Sequence, residues 1–374
     1  MSSTRKEKLW QRVTYLVAVF VVAAVPTVTW ATPSVQLADG GQYDYQKIIV
    51  SGEPNGTPPD SPANRVDANV PTSPYAGVVS LRLIFGGSTF ICTGALITDR
   101  HILTAGHCLD NDDNGTIDLT PGDVTVILND DANANFLPAT DLYIHPDYTG
   151  FKNPKVNDDL AVIKLANPLP AGVPIYPIFA DPFDPGELIN MVGYGRSGAP
   201  GDGYTIGPDF SVKRSGLNQA DVAVLDDEGS GSKEVFKFDF DGPTSATNWF
   251  GNSLNPFFYT LGNDVETTIG GGDSGGPSFI DLNGTLALFG VNTFTGGGGM
   301  AAAPFFGSVG GGIVASAYLD WLTAGLPESL GLDVTLVSRS DPVNTPEPST
   351  FILFIIAILS VLGYGWQRRR KPTQ

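Results

Sequence analysis

From Ala76 onward the chain repeats one texture: short runs of β-branched, aliphatic and aromatic residues, each closed by glycine, proline, asparagine or aspartate. The clearest are VVSLRLIF (78–85), FICTGALIT (90–98), VTVIL (124–128), LAVIKL (160–165) and LALFGV (286–291). Each run is too short for a helix of several turns, and its residue types suit a pleated, half-buried surface. An all-β sandwich or barrel of antiparallel strands is therefore expected, and alternating helix and strand is disfavoured. Glycine (45) and proline (29) make up about a fifth of the 374 residues, enough to supply the turns without reaching the level of disorder. One helix is expected near the end of the body, at Val314 to Leu322. The proline-rich stretch 168–185 reads as a connection between two halves, and 196–265, rich in Gly and Asp, carries few strong patterns. Residues 32–65 read as propeptide or linker and 327–343 as a second linker.

Both ends read as addresses. Arg5, Lys6, Lys8 and Arg12 precede the apolar run Tyr15–Val25, and small residues follow at Thr29 and Ala31. This is the pattern of a signal peptide over 1–31, cleaved by signal peptidase; the apolar run is short for an uncleaved anchor. At the other end, Pro346-Glu347-Pro348 is followed by an apolar stretch, 351–366, and by Arg368, Arg369, Arg370 and Lys371. Sixteen residues at about 1.5 Å each reach roughly 24 Å, adequate for a bilayer with snorkelling basic flanks. Positive charges after the span place the body outside the cytoplasm. Residues 344–371 resemble the PEP-CTERM sorting signal of exported bacterial proteins, which implies an exosortase-type enzyme as a partner; the plainer alternative is a single-span anchor. Without these two ends the body keeps 13 of the 21 basic and 37 of the 39 acidic residues, a net charge of −24. Such a surface repels phosphate backbones, so no nucleic-acid partner is expected. Cys92 and Cys108 are the only cysteines, and in an exported chain an even count favours a disulfide. Two thiols alone would leave a metal site short of ligands.

Three short segments carry chemistry: Leu103-Thr104-Ala105-Gly106-His107-Cys108, Asn157-Asp158-Asp159-Leu160-Ala161-Val162-Ile163, and Gly271-Gly272-Asp273-Ser274-Gly275-Gly276-Pro277. A serine hydroxyl becomes nucleophilic when a base takes its proton, and an imidazole oriented by a carboxylate is such a base. Glycines beside the serine let backbone N–H groups approach the oxygen on which charge develops. The five residues Gly272–Gly276 also fit the G-x-S-x-G elbow of lipases and esterases. That class places serine before acid before histidine, the reverse of the order here.

In the order His, Asp, Ser, these segments resemble the trypsin/chymotrypsin (S1) family of serine proteases. Ile144-His145-Pro146-Asp147-Tyr148 and Val192-Gly193-Tyr194-Gly195 add to the likeness. The resemblance implies two six-stranded antiparallel Greek-key β-barrels, about 66–175 and 186–326, with a C-terminal helix and the site in the cleft between them. It implies an endopeptidase acting on protein or peptide substrates through an acyl-enzyme, with no cofactor required. His107 would be the base, Asp159 its orienter and Ser274 the nucleophile. Gly272 and Ser274 would donate the oxyanion N–H groups. Asp273 would pair with an α-amino group freed by cleavage at Lys47–Ile48 or at Arg65–Val66. Thr268 would form the base of the specificity pocket and Thr293 and Phe294 its wall; a threonine there predicts no strong preference for Arg or Lys, with Glu266 nearby as the main contrary signal. His101 and His145 are expected to be non-catalytic, and Asp158 a solvated neighbour of Asp159. Gly106 stands where the family often has alanine, which predicts a slightly looser base.

A second motif follows His107. Asp110, Asp112, Asn114, Thr116 and Asp118, with Gly115 at the sixth position, have the spacing of an oxygen-ligand calcium loop, although Pro121 replaces the closing glutamate. A structural calcium and a solvated acidic turn are even alternatives. A surface or matrix binding protein on an inactive protease scaffold is the competing function, disfavoured by retention of all three reactive side chains.

Overall fold

The computed structural model describes residues 34–36, 42–44 and 50–340, apart from 57–58, 132–133, 152–155, 254–259, 262–264, 297–302, 304 and 324–328. The expected signal peptide and sorting signal lie outside the described residues. Among those described, no helix is long and apolar enough to cross a membrane.

A short antiparallel pair, β1 (Ser34–Gln36) and β2 (Gln42–Asp44), precedes the body. The first barrel is built from β3 (Val78–Phe85), β4 (Ser88–Leu96), β5 (His101–Thr104), β6 (Val124–Leu128), β7 (Asn135–Ile144) and β8 (Ala161–Leu165). They close in the order β3-β4-β5-β8-β7-β6. The β3–β4 hairpin turns on Gly86 and Gly87 alone, at φ +56° and +88°. A two-residue hairpin turn with both central residues at positive φ is what selects glycine at both positions. Val79, Leu81 and Leu83 lie on one face of β3 and join Leu103, Val126 and Val162 in one buried cluster.

The second half contains β9 (Ile178–Phe179), β10 (Glu187–Gly193), β11 (Ser197–Ala199), β12 (Gly203–Ile206), β13 (Arg214–Ala220), β14 (Val222–Leu225) and β15 (Lys233–Asp239). These are followed by α1 (Trp249–Ser253), β16 (Pro277–Leu282), β17 (Thr285–Gly296), β18 (Val309–Val314), α2 (Leu319–Thr323) and β19 (Leu336–Val337). The main ladder runs β13-β10-β16-β17-β18-β15-β14. Its two end strands are one strand bent at Asp221, whose N–H donates to the Lys237 carbonyl at 2.8 Å. The path therefore closes through the chain itself, and six strands form the second barrel. β11 and β12 pair beside it.

β18, with the sequence VGGGIV, is a strand despite its glycines because aromatic rings occupy the space their side chains would fill. A Cβ on Gly310 would lie 2.5 Å from Phe238 Cζ, and one on Gly311 2.6 Å from Phe294 Cζ. The expected late helix is a 3₁₀ turn over Ala315–Tyr318 running into α2.

Among its described residues the stretch 196–265, nearly patternless in the sequence, holds five strands. Residues 50–65, expected as propeptide or linker, pack into the body: Val50 is fully buried and its N–H donates to the Thr268 carbonyl at 2.7 Å. The described part of 327–343 is also attached rather than linking. β19 pairs with β9, and Arg339 bonds Glu187.

Candidate active site

The site forms where the first barrel meets the Gly-rich turn before β16. β5 ends at Thr104 and runs into a 3₁₀ turn, Gly106–Cys108, that carries His107. Cys108 is bonded to Cys92 on β4, so the turn is stapled to the barrel wall. Gly106 does not leave a gap. A Cβ there would lie 3.2 Å from both Asp159 Oδ1 and Ile144 Cγ1, so the base is closely held and the expected looseness is absent.

Asp159 immediately precedes β8 and is fully buried. Its Oδ1 accepts the His107 backbone N–H at 2.7 Å, and its Oδ2 lies 2.7 Å from His107 Nδ1. The other ring nitrogen, Nε2, lies 2.7 Å from Ser274 Oγ. One carboxylate thus fixes both the backbone and the ring of His107, and that ring faces the hydroxyl. Phe151 covers the imidazole, with ring centroids 4.7 Å apart. Asp158 is not solvated: it is buried at φ +61° and lies 3.3 Å from His145 Nδ1. His145 itself is enclosed edge-to-face by Tyr318 and Trp321. His101 bonds Thr98 through Nδ1.

The Ser274 turn is clamped from the first barrel. Thr93 on β4 donates its backbone N–H to the Ser274 carbonyl at 2.8 Å and its hydroxyl to the Gly272 carbonyl at 2.7 Å. The same hydroxyl accepts from Tyr194 N–H. Thr93 is a positioning residue that sequence reasoning missed, because its partners lie about a hundred or more residues away and no local pattern marks them. Gly272 sits at φ +113°, and Gly275 at φ +78° leaves no room for a side chain: a Cβ would meet Thr104 Oγ1 at 1.9 Å. Among the described residues, neither the Gly272 nor the Ser274 N–H is engaged by a backbone acceptor.

Asp273 is fully buried, and its carboxylate accepts from Gly195 N at 2.8 Å and Gly270 N at 3.0 Å. The glycines of the Val192–Gly195 segment make this possible, since a Cβ on Gly193 would lie 2.0 Å from Asp273 Oδ1. Thr268, Thr293 and Phe294 are all buried, and Thr293 Oγ1 bonds the Val291 carbonyl. Glu266 is buried and turned onto the Asp241 and Leu261 N–H groups. Arg65 is locked to Asp60 and to the Val265 carbonyl. Lys47 and Ile48 lie outside the described residues.

In the loop after His107, the carboxylates of Asp110, Asp112 and Asp118 come within 4.8 Å of one another. Asp110 accepts from the N–H groups of Asn114 and Gly115, and Asp118 from those of Asn111 and Asp112. Asn114 is turned onto Thr116 instead of the acids. Burial and the neighbouring charges of Asp113 and Asp118 push the Asp110 carboxyl up.

Two strand barrels holding a hydroxyl, an imidazole and a carboxylate in line define the class of serine endopeptidases. Comparison with known proteins agrees. The trypsin family model matches residues 66–322, and the chain belongs to that family. It is 27% identical over 244 residues to chymotrypsin-C of Bos taurus, covering 62% of this chain and 76% of that one. It is 24% identical to chymotrypsin-like elastase family member 1 of Macaca fascicularis, over 58% of this chain and 73% of that one. A shorter match, 34% over 107 residues, links it to the serine protease Hayan of Drosophila melanogaster, covering 27% of this chain and 16% of that protein.

Proposed function

We propose that the protein is an exported endopeptidase in which His107, Asp159 and Ser274 act as one relay. Ser274 Oγ attacks the carbonyl carbon of a peptide bond while its proton passes to His107 Nε2. The resulting oxyanion is received by the N–H groups of Gly272 and Ser274, donors fixed before the reaction begins. Asp159 stabilises the imidazolium and holds its other nitrogen. His107 then gives the proton to the departing amine, leaving an acyl ester on Ser274. Water, deprotonated by His107, hydrolyses that ester and restores the hydroxyl. The observation that carries this reading is the pair of 2.7 Å contacts on opposite edges of one imidazole, to Asp159 and to Ser274. An unfolded casein substrate tests it: the wild-type chain is expected to cut it and Ser274→Ala to leave it intact. Equal cleavage by both would overturn it.

The substrate class is protein or peptide without a required basic residue at P1, because Thr268 brings no charge to the pocket base. Activation by cleavage near Lys47–Ile48 fits the packing better than cleavage after Arg65. Val50 and Ser51 already lie against Thr268 and Gly198, whereas Arg65 is tied to Asp60 and Val265. Release of an α-amino group there would bring an ammonium toward the buried Asp273 carboxylate, the activation pairing that the resemblance implies. Signal peptidase, an exosortase-type enzyme and the membrane are the partners the two ends call for, with the body outside the cytoplasm. The loop at Asp110–Asp118 would take a calcium ion through Asp110, Asp112 and Asp118, tightening the segment behind His107.

A further inference from the structure

The second barrel contains a group of acids that the reaction does not use. Asp239 ends β15, Asp241 follows two residues later, and Glu266 lies two residues before Thr268. All three are almost completely buried, and one carboxylate oxygen from each falls within 4.8 Å of the others. Asp221, at the bend between β13 and β14, stands behind them, its Oδ2 accepting the Asp239 N–H at 3.4 Å. Among the described residues, none of the four has a Lys, Arg or His within ion-pair distance. Lys237, on the same strand, places its ammonium over the Phe250 ring.

Asp241 singles the cluster out. It is 1% exposed, yet neither of its carboxylate oxygens has a hydrogen-bond partner. The nearby Thr260 hydroxyl, which donates to Glu266 Oε2, eases its burial only in part. The other acids keep free lone pairs beside their backbone bonds. Glu266 accepts from Asp241 and Leu261 N–H, and Asp239 Oδ2 from Trp249 and Phe250 N–H. Burying several carboxylates together is costly unless a cation or protons neutralise them. Burial, and then mutual repulsion, pushes Asp241 up to about 8 and Glu266 well above its ordinary value.

We propose that Asp239, Asp241 and Glu266 form a buried calcium site, backed by Asp221, where the segment 242–265 leaves and rejoins the second barrel. The donor set is all oxygen, which selects a hard cation. Oxygens bonded to one calcium ion at about 2.3–2.6 Å stand at most roughly 4.6–5.2 Å apart, and the three oxygens here lie within 4.8 Å of one another. The ion joins the end of β15 to the segment leading to Thr268, whose carbonyl holds Val50. Both ends of that segment, and Thr268 beside it, are thereby tied to one point.

The test uses the full chain purified in detergent, stripped with EGTA and carrying Asp112→Asn to disable the acidic loop near His107. Calcium stoichiometry by equilibrium dialysis and melting temperature are read together. One bound calcium is expected, with melting raised by about 5–10 °C at a hundredfold excess over Kd. Adding Asp241→Asn should abolish that binding and shift, while in EGTA this variant melts at or above its parent because repulsion is relieved. If Asp241→Asn does not fold, Glu266→Gln takes its place, and the parent's stoichiometry alone remains decisive. No bound calcium in the parent, an unchanged shift in the variant, or an equal shift with magnesium would overturn the assignment.

Discussion

Replacing Asp159 by Asn keeps the shape of the buried side chain and reverses one of its contacts. The carboxylate now accepts twice, from the His107 backbone N–H and at ring Nδ1, each at 2.7 Å. An amide has one acceptor and one donor end. If its oxygen stays on the backbone N–H, its NH₂ faces Nδ1, which must then accept. The ring proton moves to Nε2, where the hydroxyl of Ser274 needs a vacant lone pair. If the amide flips instead, two N–H donors face each other in a fully buried position. Either arrangement costs about 1–3 kcal/mol for a mismatched buried polar pair, and the lost charge-assisted bond to the imidazolium adds about 1.5–3 kcal/mol. The total of about 2.5–6 kcal/mol corresponds to roughly 10²–10⁴-fold in kcat. Asp159→Asn should therefore lose that much kcat on a chromogenic peptide, with KM nearly unchanged and melting within a few degrees of wild type. A folded variant within tenfold of wild-type kcat would refute the orienting role.

Replacing both Cys92 and Cys108 by Ser opens a loop closed over a separation of 16 residues and should cost about 3 kcal/mol of stability, read as a lower urea midpoint. An unchanged midpoint would mean the staple does not constrain the His107 turn. A peptide library is expected to show cleavage after apolar or neutral residues, since Thr268 is neutral; cleavage confined to Arg and Lys would contradict this. Glu234 is pushed up to about 7, by burial first and then by the charges of Asp158 and Asp226, against an ordinary value of 4.5. Between those values the folded chain holds a proton that the unfolded chain has lost, so stability falls as pH rises through that window and levels off above it. Glu234→Gln should flatten that part of the melting profile in EGTA; an identical slope would refute it.

The meeting of His107, Asp159 and Ser274 and the first barrel were legible in the sequence because their signals are local. The run 124–128 coincides with β6, and Asp159 directly precedes the apolar β8. The strands of 196–265 were not legible for a physical reason. β13 reads RSGLNQA, with Arg214, Gly216, Asn218 and Ala220 as its buried face, so polar side chains stand where an apolar period is sought. Asn218 is satisfied there by bonds to the Asp239 and Thr267 carbonyls, which only the fold brings near. β18 was hidden similarly, since its glycines acquire a role only when Phe238 and Phe294 lie over them. Residues 50–65 and 334–340 attach largely through backbone bonds to distant strands, and such bonds leave no pattern in composition.

The relay itself is tested most directly by treating the wild-type chain with a fluorophosphonate and locating the adduct by mass spectrometry. The expected result is one phosphonylated residue, Ser274, with labelling abolished when His107 is replaced by Ala. An adduct on another residue, or undiminished labelling without the imidazole, would contradict the account.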